Sequence, residues 1–202
     1  MYHRLPAVES QLRDGRLKII FAYRWAFTQF KGGTEKYIWY LARELADLGV
    51  DVTIVSSGHR YRSTNVSDRL QLVTIPPFVC RPVTVTTYAF SFSLTRFLKT
   101  QQFDILHSFE TAALGYLLLN IRSHKPTLVH VPGFEPITTM QLFNILEVLL
   151  NTPLGYSLGY CIKHADCVIT LGRSFSDYAH KRFRIDPDKL CELPNGVPSK
   201  YI

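Results

Sequence analysis

The 202-residue sequence predicts an α/β fold: a parallel sheet with helices on both faces. Three observations predict it. Short apolar runs alternate with helix-like stretches along the chain. The runs are continuously apolar, as strands buried on both faces are, and do not alternate with polar residues. The first two runs, with the loop and helix between them, fit a β–α–β unit of about 40 residues.

The elements follow in order. Residues 1–16 read as a polar N-terminal extension. Leu17 to Tyr23 is a buried strand. Arg24 to Gly33 is a loop. Thr34 to Leu48 is a helix, because Ile38, Leu41, Ala42, Leu45 and Leu48 recur at helical spacing. Thr34 or Gly33 suits its cap, Glu35 its first turn and Gly49 its end. Asp51 to Ser56 is the second strand and Leu70 to Ile75 the next, stopped by Pro76-Pro77. Residues 57–69 and 76–87 are expected loops. Tyr88 to Lys99 is an amphipathic helix, Phe103 to His107 a strand, Thr111 to Ile121 an apolar helix and Pro126 to Val131 a strand. Helix then follows in two pieces around Thr152-Pro153. Ala165 to Thr170 is a strand, Ser174 caps a helix to about Phe183, and Leu190 to Leu193 is a short final strand.

Composition narrows the class. Apolar residues make up 47% and charged residues 19%, which excludes disordered, collagen-like and coiled-coil chains. The length suits one large domain or two small ones. No two of Cys80, Cys161, Cys167 and Cys191 form a C-x-x-C pair, so reduced, buried thiols are expected. The net charge of +7 fits an anionic partner: nucleic acid, a sugar nucleotide or an acidic membrane surface. The basic residues are scattered and no RNA-binding motif is present, so nucleic acid is not expected. The start lacks the apolar core of a signal peptide. Residues 137–162 contain polar residues and Pro153, which argues against a membrane span and for a buried or membrane-apposed helix pair. Arg96 and Lys99, beside Phe90, Phe92, Leu94 and Phe97, fit either an interfacial helix or one packed on the sheet.

Ligands of such sheets bind beyond the carboxyl ends of the strands. That directs attention to loops 24–35, 108–111, 130–137 and 171–175. Gly32-Gly33 stands just before a helix, where bare backbone N–H groups attract anions. The pair is a plain turn or an anion cradle, because neither the G-x-G-x-x-G nor the P-loop pattern accompanies it. Glu110 and Glu135 stand at strand ends, where each is suited to orient a sugar hydroxyl or to lie in solvent. His107 and His130 lie near strand ends and are read as packed or as functional. Metal-ligand spacing is absent, so no metal is expected.

Three stretches in order resemble the N-terminal half of a family 4 glycosyltransferase of the GT-B type. Gly32-Gly33-Thr34-Glu35 and the segment from Leu41 to Val55 resemble the family's GG-x-E helix and the strand after it, with Val50 where a His is usual. Phe103 to Ser108 resembles its D-hydrophobic-hydrophobic-H strand. Ala165 to Thr170, Ser174, and Pro187 through Val197 resemble the passage leaving the first domain.

The resemblance implies residues 17–197 as a Rossmann-like acceptor-side domain, and 198–202 as the start of a linker to a nucleotide-sugar domain, in cis or in trans. It implies retaining transfer of a hexosyl group from a nucleotide sugar, as substrate rather than cofactor, to an acceptor hydroxyl. Gly32, Gly33 and Thr34 map to the donor phosphates. His130 and Glu110 are the catalytic candidates; His107, Gly133, Glu135 and Ser174 are the substrate-binding ones. Pro132 stands where the family often has His, and His130, two residues earlier, faces the same side. This departure keeps open an alternative, a non-catalytic binding or scaffolding domain. The acceptor is not named by the sequence. The expected location is the cytoplasm, with contact at the inner face of a membrane left open.

Overall fold

The computed structural model describes residues 16–25, 32–76, 83–119, 125–132 and 145–194. Its strands are β1 (Lys18–Ala22), β2 (Asp51–Ser57), β3 (Arg62–Asn65), β4 (Leu70–Ile75), β5 (Ile105–Phe109), β6 (Thr127–Val131), β7 (Cys167–Thr170) and β8 (Leu190–Glu192). They form one sheet in the order β3-β4-β2-β1-β5-β6-β7-β8. All neighbouring pairs are parallel except β3 with β4. The helices are α1 (Gly33–Asp47), α2 (Val83–Leu98), α3 (Leu114–Leu119), α4 (Ile145–His164) and α5 (Arg173–Phe183), with a 3-10 turn at Pro187–Lys189.

Helix α1 covers one face. Ile38, Ala42 and Ala46, spaced four apart, bury against Phe21, Val52, Ile54 and Phe109. Full burial of a side chain like Phe21 stabilises the fold by roughly 2–3 kcal/mol. The helix ends where Gly49 takes φ +95°, a left-handed conformation that glycine adopts freely. The N–H of Gly49 then bonds the carbonyl of Ala46 and that of Val50 bonds Leu45, both at 3.0 Å, which is a Schellman stop. Helices α2 to α5 form the layer on the opposite face. There Phe90, Leu94, Leu98, Leu117, Cys161, Ile162 and Ala179 meet the other sides of the strands.

Several expectations are corrected. Residues 62–65, expected in a loop, form the antiparallel edge strand β3, whose residues are all exposed. Helix α2 begins at Val83, not Tyr88. Its early threonines read as irregular, but Thr84, Thr86 and Thr87 are all buried within the helix. Strand β5 runs 105–109 instead of 103–107. Ser108 is fully buried because its Oγ accepts the N–H of Ala113 at 2.8 Å. Helix α3 starts at Leu114, not Thr111. Pro153 lies inside the single helix α4, where packing of Cys161 and Ile162 outweighs one missing backbone bond. The N-caps of α1 and α5 are Gly32 and Gly172, and no side chain bonds across either, so neither Thr34 nor Gly33 caps α1 and Ser174 does not cap α5. Cys161, Cys167 and Cys191 are free thiols. The extension to residue 15, Cys80, Gly133, Glu135 and residues 195–202 lie outside the described residues.

Candidate functional site

The carboxyl ends of β1, β2, β5, β6 and β7 lie along one edge of the sheet, as parallel pairing requires. Strand β1 delivers Tyr23 and Arg24 there, β5 delivers Glu110, β6 delivers Pro132 and β7 delivers Gly172. The first turn of α1 joins them. Tyr23 interacts with Glu110 and Glu35 and hydrogen-bonds the side chain of Thr34, so Gly32, Gly33, Thr34 and Glu110 share one neighbourhood.

The start of α1 is open. Gly33 is exposed, and a β-carbon built on it would meet nothing within 4 Å. One built on Gly32 would strike the Glu35 carboxylate, which folds back over the helix end. An anion is favoured there by the unsatisfied N–H groups of the first turn and by the helix dipole.

Glu110 takes φ +55°, a left-handed conformation costly for a residue with a side chain. Its N–H is held by the carbonyl of His130 at 2.9 Å, which continues the β5–β6 ladder past the strand. Burial raises its carboxyl pKa; the Arg24 guanidinium opposes the rise and Glu35 adds to it. Tyr23 is held strongly protonated, first by burial and then by the carboxylates of Glu110 and Glu35.

Arg24 was not singled out by the sequence. Its guanidinium donates to Thr87 Oγ1 on α2 and lies 4.9 Å from the centroid of the Trp25 ring. Its carbonyl accepts the N–H of Ser57 at 3.1 Å and also the Ser57 hydroxyl. It therefore ties β1, β2 and α2 together at the edge. A cation directly after a buried strand and beside Trp25 was the available signal.

The two histidines lie deeper. Expected to face an acceptor, His107 is 6% exposed and His130 0%. The reason is local. β5 runs two residues past His107, and His130 faces α1 from within β6. His107 stacks on Phe109 with ring centroids 4.8 Å apart, and His130 packs edge-on to Tyr37 at 5.0 Å. Burial lowers both imidazoles, His107 to about 3 and His130 to about 4. His130 Nε2, Tyr37 Oη and Arg24 Nε are buried without a hydrogen-bond partner among the described residues.

Ser174 is exposed in the first turn of α5, after β7. It shares the edge with Glu110 but stands two strands away, with β6 between. Among the described residues no three His, Cys, Asp or Glu side chains are grouped to hold a metal.

Comparison with known proteins identifies the fold and the family. The phosphatidylinositol N-acetylglucosaminyltransferase GPI3 subunit of Saccharomyces cerevisiae is 26% identical over 177 residues, covering 84% of this chain and 37% of the relative. Sucrose-phosphate synthase from Thermosynechococcus elongatus superposes with a TM-score of 0.64 at 13% identity, over 90% of this chain and 49% of that one. LpCGTa in complex with UDP gives 0.58 at 12% identity, over 91% of this chain and 53% of that one. The chain thus spans about half, or less, of the length of these proteins. The sequence model of Glycosyltransferase Family 4 matches residues 31–201. The chain belongs to Glycosyltransferase Family 4, and its Rossmann-like sheet has the fold of a domain of GT-B glycosyltransferases.

Proposed function

We propose that this domain works with a second, nucleotide-holding domain, in cis or in trans, to transfer a hexosyl group from a nucleotide sugar to an acceptor hydroxyl with retention. The single observation that carries this reading is the open first turn of α1 at the carboxyl edge, with Gly33 unobstructed beside Glu110.

Charge builds on the leaving diphosphate as the sugar–oxygen bond breaks. The N–H groups after Gly32 are already aimed outward and stabilise that charge without reorganising. Glu35, now folded over Gly32, swings aside as the anion arrives. Glu110 accepts a hydrogen bond from the acceptor hydroxyl, and Arg24 keeps its carboxylate available. His107 and His130 are positioning residues here: they fix Phe109 and the backbone of Glu110 from below. Ser174 at the α5 start binds substrate farther along the edge, with Gly133 and Glu135 assigned by resemblance.

The relative's name supplies the first pair to assay, an N-acetylglucosaminyl donor with phosphatidylinositol. The reading is tested directly on this chain with inorganic pyrophosphate. Amide NMR signals of Gly33, Thr34 and Glu35 are expected to shift on titration and to stay still in Gly33→Trp. Shifts confined to other residues, or unchanged by the substitution, overturn it.

A further inference from the structure

We propose that Cys167 and Cys191 form a two-thiolate site for a monovalent soft metal ion, Cu(I). The site does not rest on the proposed reaction.

The two cysteines are far apart in sequence, so no spacing motif joins them. The sheet does. Strands β7 and β8 pair in parallel, with Ile169 opposite Cys191. Residues two apart on a strand share a face, so Cys167, Ile169 and Cys191 point the same way. Val168 points the other way, into the core beneath α2 to α5. Neither thiol belongs to either apolar core, and both are half-buried, unlike Cys161 at 0% exposure. Burial raises the Cys167 thiol most; the Cys191 sulfur comes next and acts on it more than the adjoining Asp166 carboxylate does. The two sulfurs are therefore within direct electrostatic reach of each other.

Distance decides what they can share. Diagonal neighbours on adjacent strands have α-carbons about 7–8 Å apart. A disulfide needs them within about 6.8 Å. The pair therefore does not close on itself without moving the backbone, and both are free thiols. A metal ion between the sulfurs adds two bonds of about 2.3 Å each, which spans the gap.

Ligand number then selects the metal. Among the described residues no group of three His, Cys, Asp or Glu side chains is placed to hold an ion. Zinc completes a tetrahedron, and calcium and magnesium take several oxygens. Cu(I) is matched to thiolates, and two opposed sulfurs suffice to hold it. Both thiols give up their protons to solvent as the two copper–sulfur bonds form, and no electron is exchanged. The complex carries one net negative charge. Lys189 Nζ, which donates to the Ala165 carbonyl at 3.2 Å, lies beside the start of β7 and offsets it. The bound ion pins the short edge strand β8 to β7.

The test is anaerobic titration of the full chain with Cu(I), read by competition with the chelator bicinchoninate. One ion per chain is expected to be retained. Cys167→Ser and Cys191→Ser are each expected to weaken retention at least about a hundred-fold, the upper end of what even a supporting contact to a ligand costs. Cys80→Ser and Cys161→Ala leave it unchanged. A second measurement needs no variant. In the wild-type chain Cu(I) is expected to shield Cys167 and Cys191 together from alkylation, counted by peptide mass spectrometry. Circular dichroism identifies a variant that fails to fold, and the shielding then decides alone. No retained ion, an ion kept by either serine variant, dependence on Cys80, or shielding of one cysteine of the pair without the other overturns the proposal.

Discussion

His107 Nε2 lies 3.3 Å from His130 Nδ1, and the two imidazoles stack with the ring of Phe109 on the α1 face of the sheet. One proton serves that contact, so the pair is built for two neutral rings.

The first prediction concerns pH. Burial holds His107 near 3 and His130 near 4, both below the value near 6.5 of an exposed imidazole. The unfolded chain therefore takes up protons that the folded chain refuses. Stability is complete above about pH 7 and falls as pH drops through 6.5, by on the order of 2 kcal/mol per ring at pH 5. Urea titrations across this range are the measurement. His107→Phe with His130→Leu is expected to flatten the profile; an equally steep profile in that variant assigns the effect elsewhere.

A second prediction follows from Gly115. Its added β-carbon would lie 3.1 Å from the Ser91 carbonyl as well as against Thr95, and its N–H donates to Ser91 Oγ at 2.7 Å. Backbone cannot move aside as a flexible side-chain end does. Gly115→Ala is expected to cost about 1–3 kcal/mol despite the better helix propensity of alanine. Chemical denaturation reads this directly, and a stabilised variant refutes the close approach.

Glu110 gives a third. Its left-handed backbone is costly for any side chain, and its carboxyl is desolvated. Glu110→Gly is expected to raise stability by about 1 kcal/mol while removing sugar transfer in the assembled enzyme. Thermal unfolding tests the first half with this chain alone. Lower stability would mean that Glu110 contributes contacts worth more than its strain.

The thiols give a fourth. Burial pushes Cys161 up to about 12 and Cys167 up to about 11. At neutral pH neither forms appreciable thiolate, so alkylation of the native protein, followed by mass spectrometry, is expected to spare Cys161 until denaturant is added.

How much of this was legible in the sequence depends on where each signal lies. Strand β4 was read to the residue, and α1 to within one, because apolar spacing and Gly49 report directly on burial and on a left-handed stop. Strand β3 was missed because Arg62-Ser63-Thr64-Asn65 buries nothing and is held by pairing alone, which no periodicity reveals. The early threonines of α2 were misread because their hydroxyls find partners only in three dimensions. At the site, the glycine pair and Glu110 were visible as types at strand ends. The packed reading of the histidines, open in the sequence, holds for both; that it would displace the acceptor-facing reading was not visible, since for His107 it depends on β5 continuing two residues further. Arg24 was hidden for a related reason: its meaning comes from Thr87, 63 positions away.

Strand β3 also governs how these molecules meet one another. Without it the row of strands would begin at Leu70–Ile75, an oily ribbon with free amides ready to zip onto a neighbour. The short hydrophilic hem made by Arg62–Asn65 runs the opposite way and presents only wet side chains. Trimming that hem is expected to leave the chain's interior intact and yet make its copies clump, side to side, as they are made.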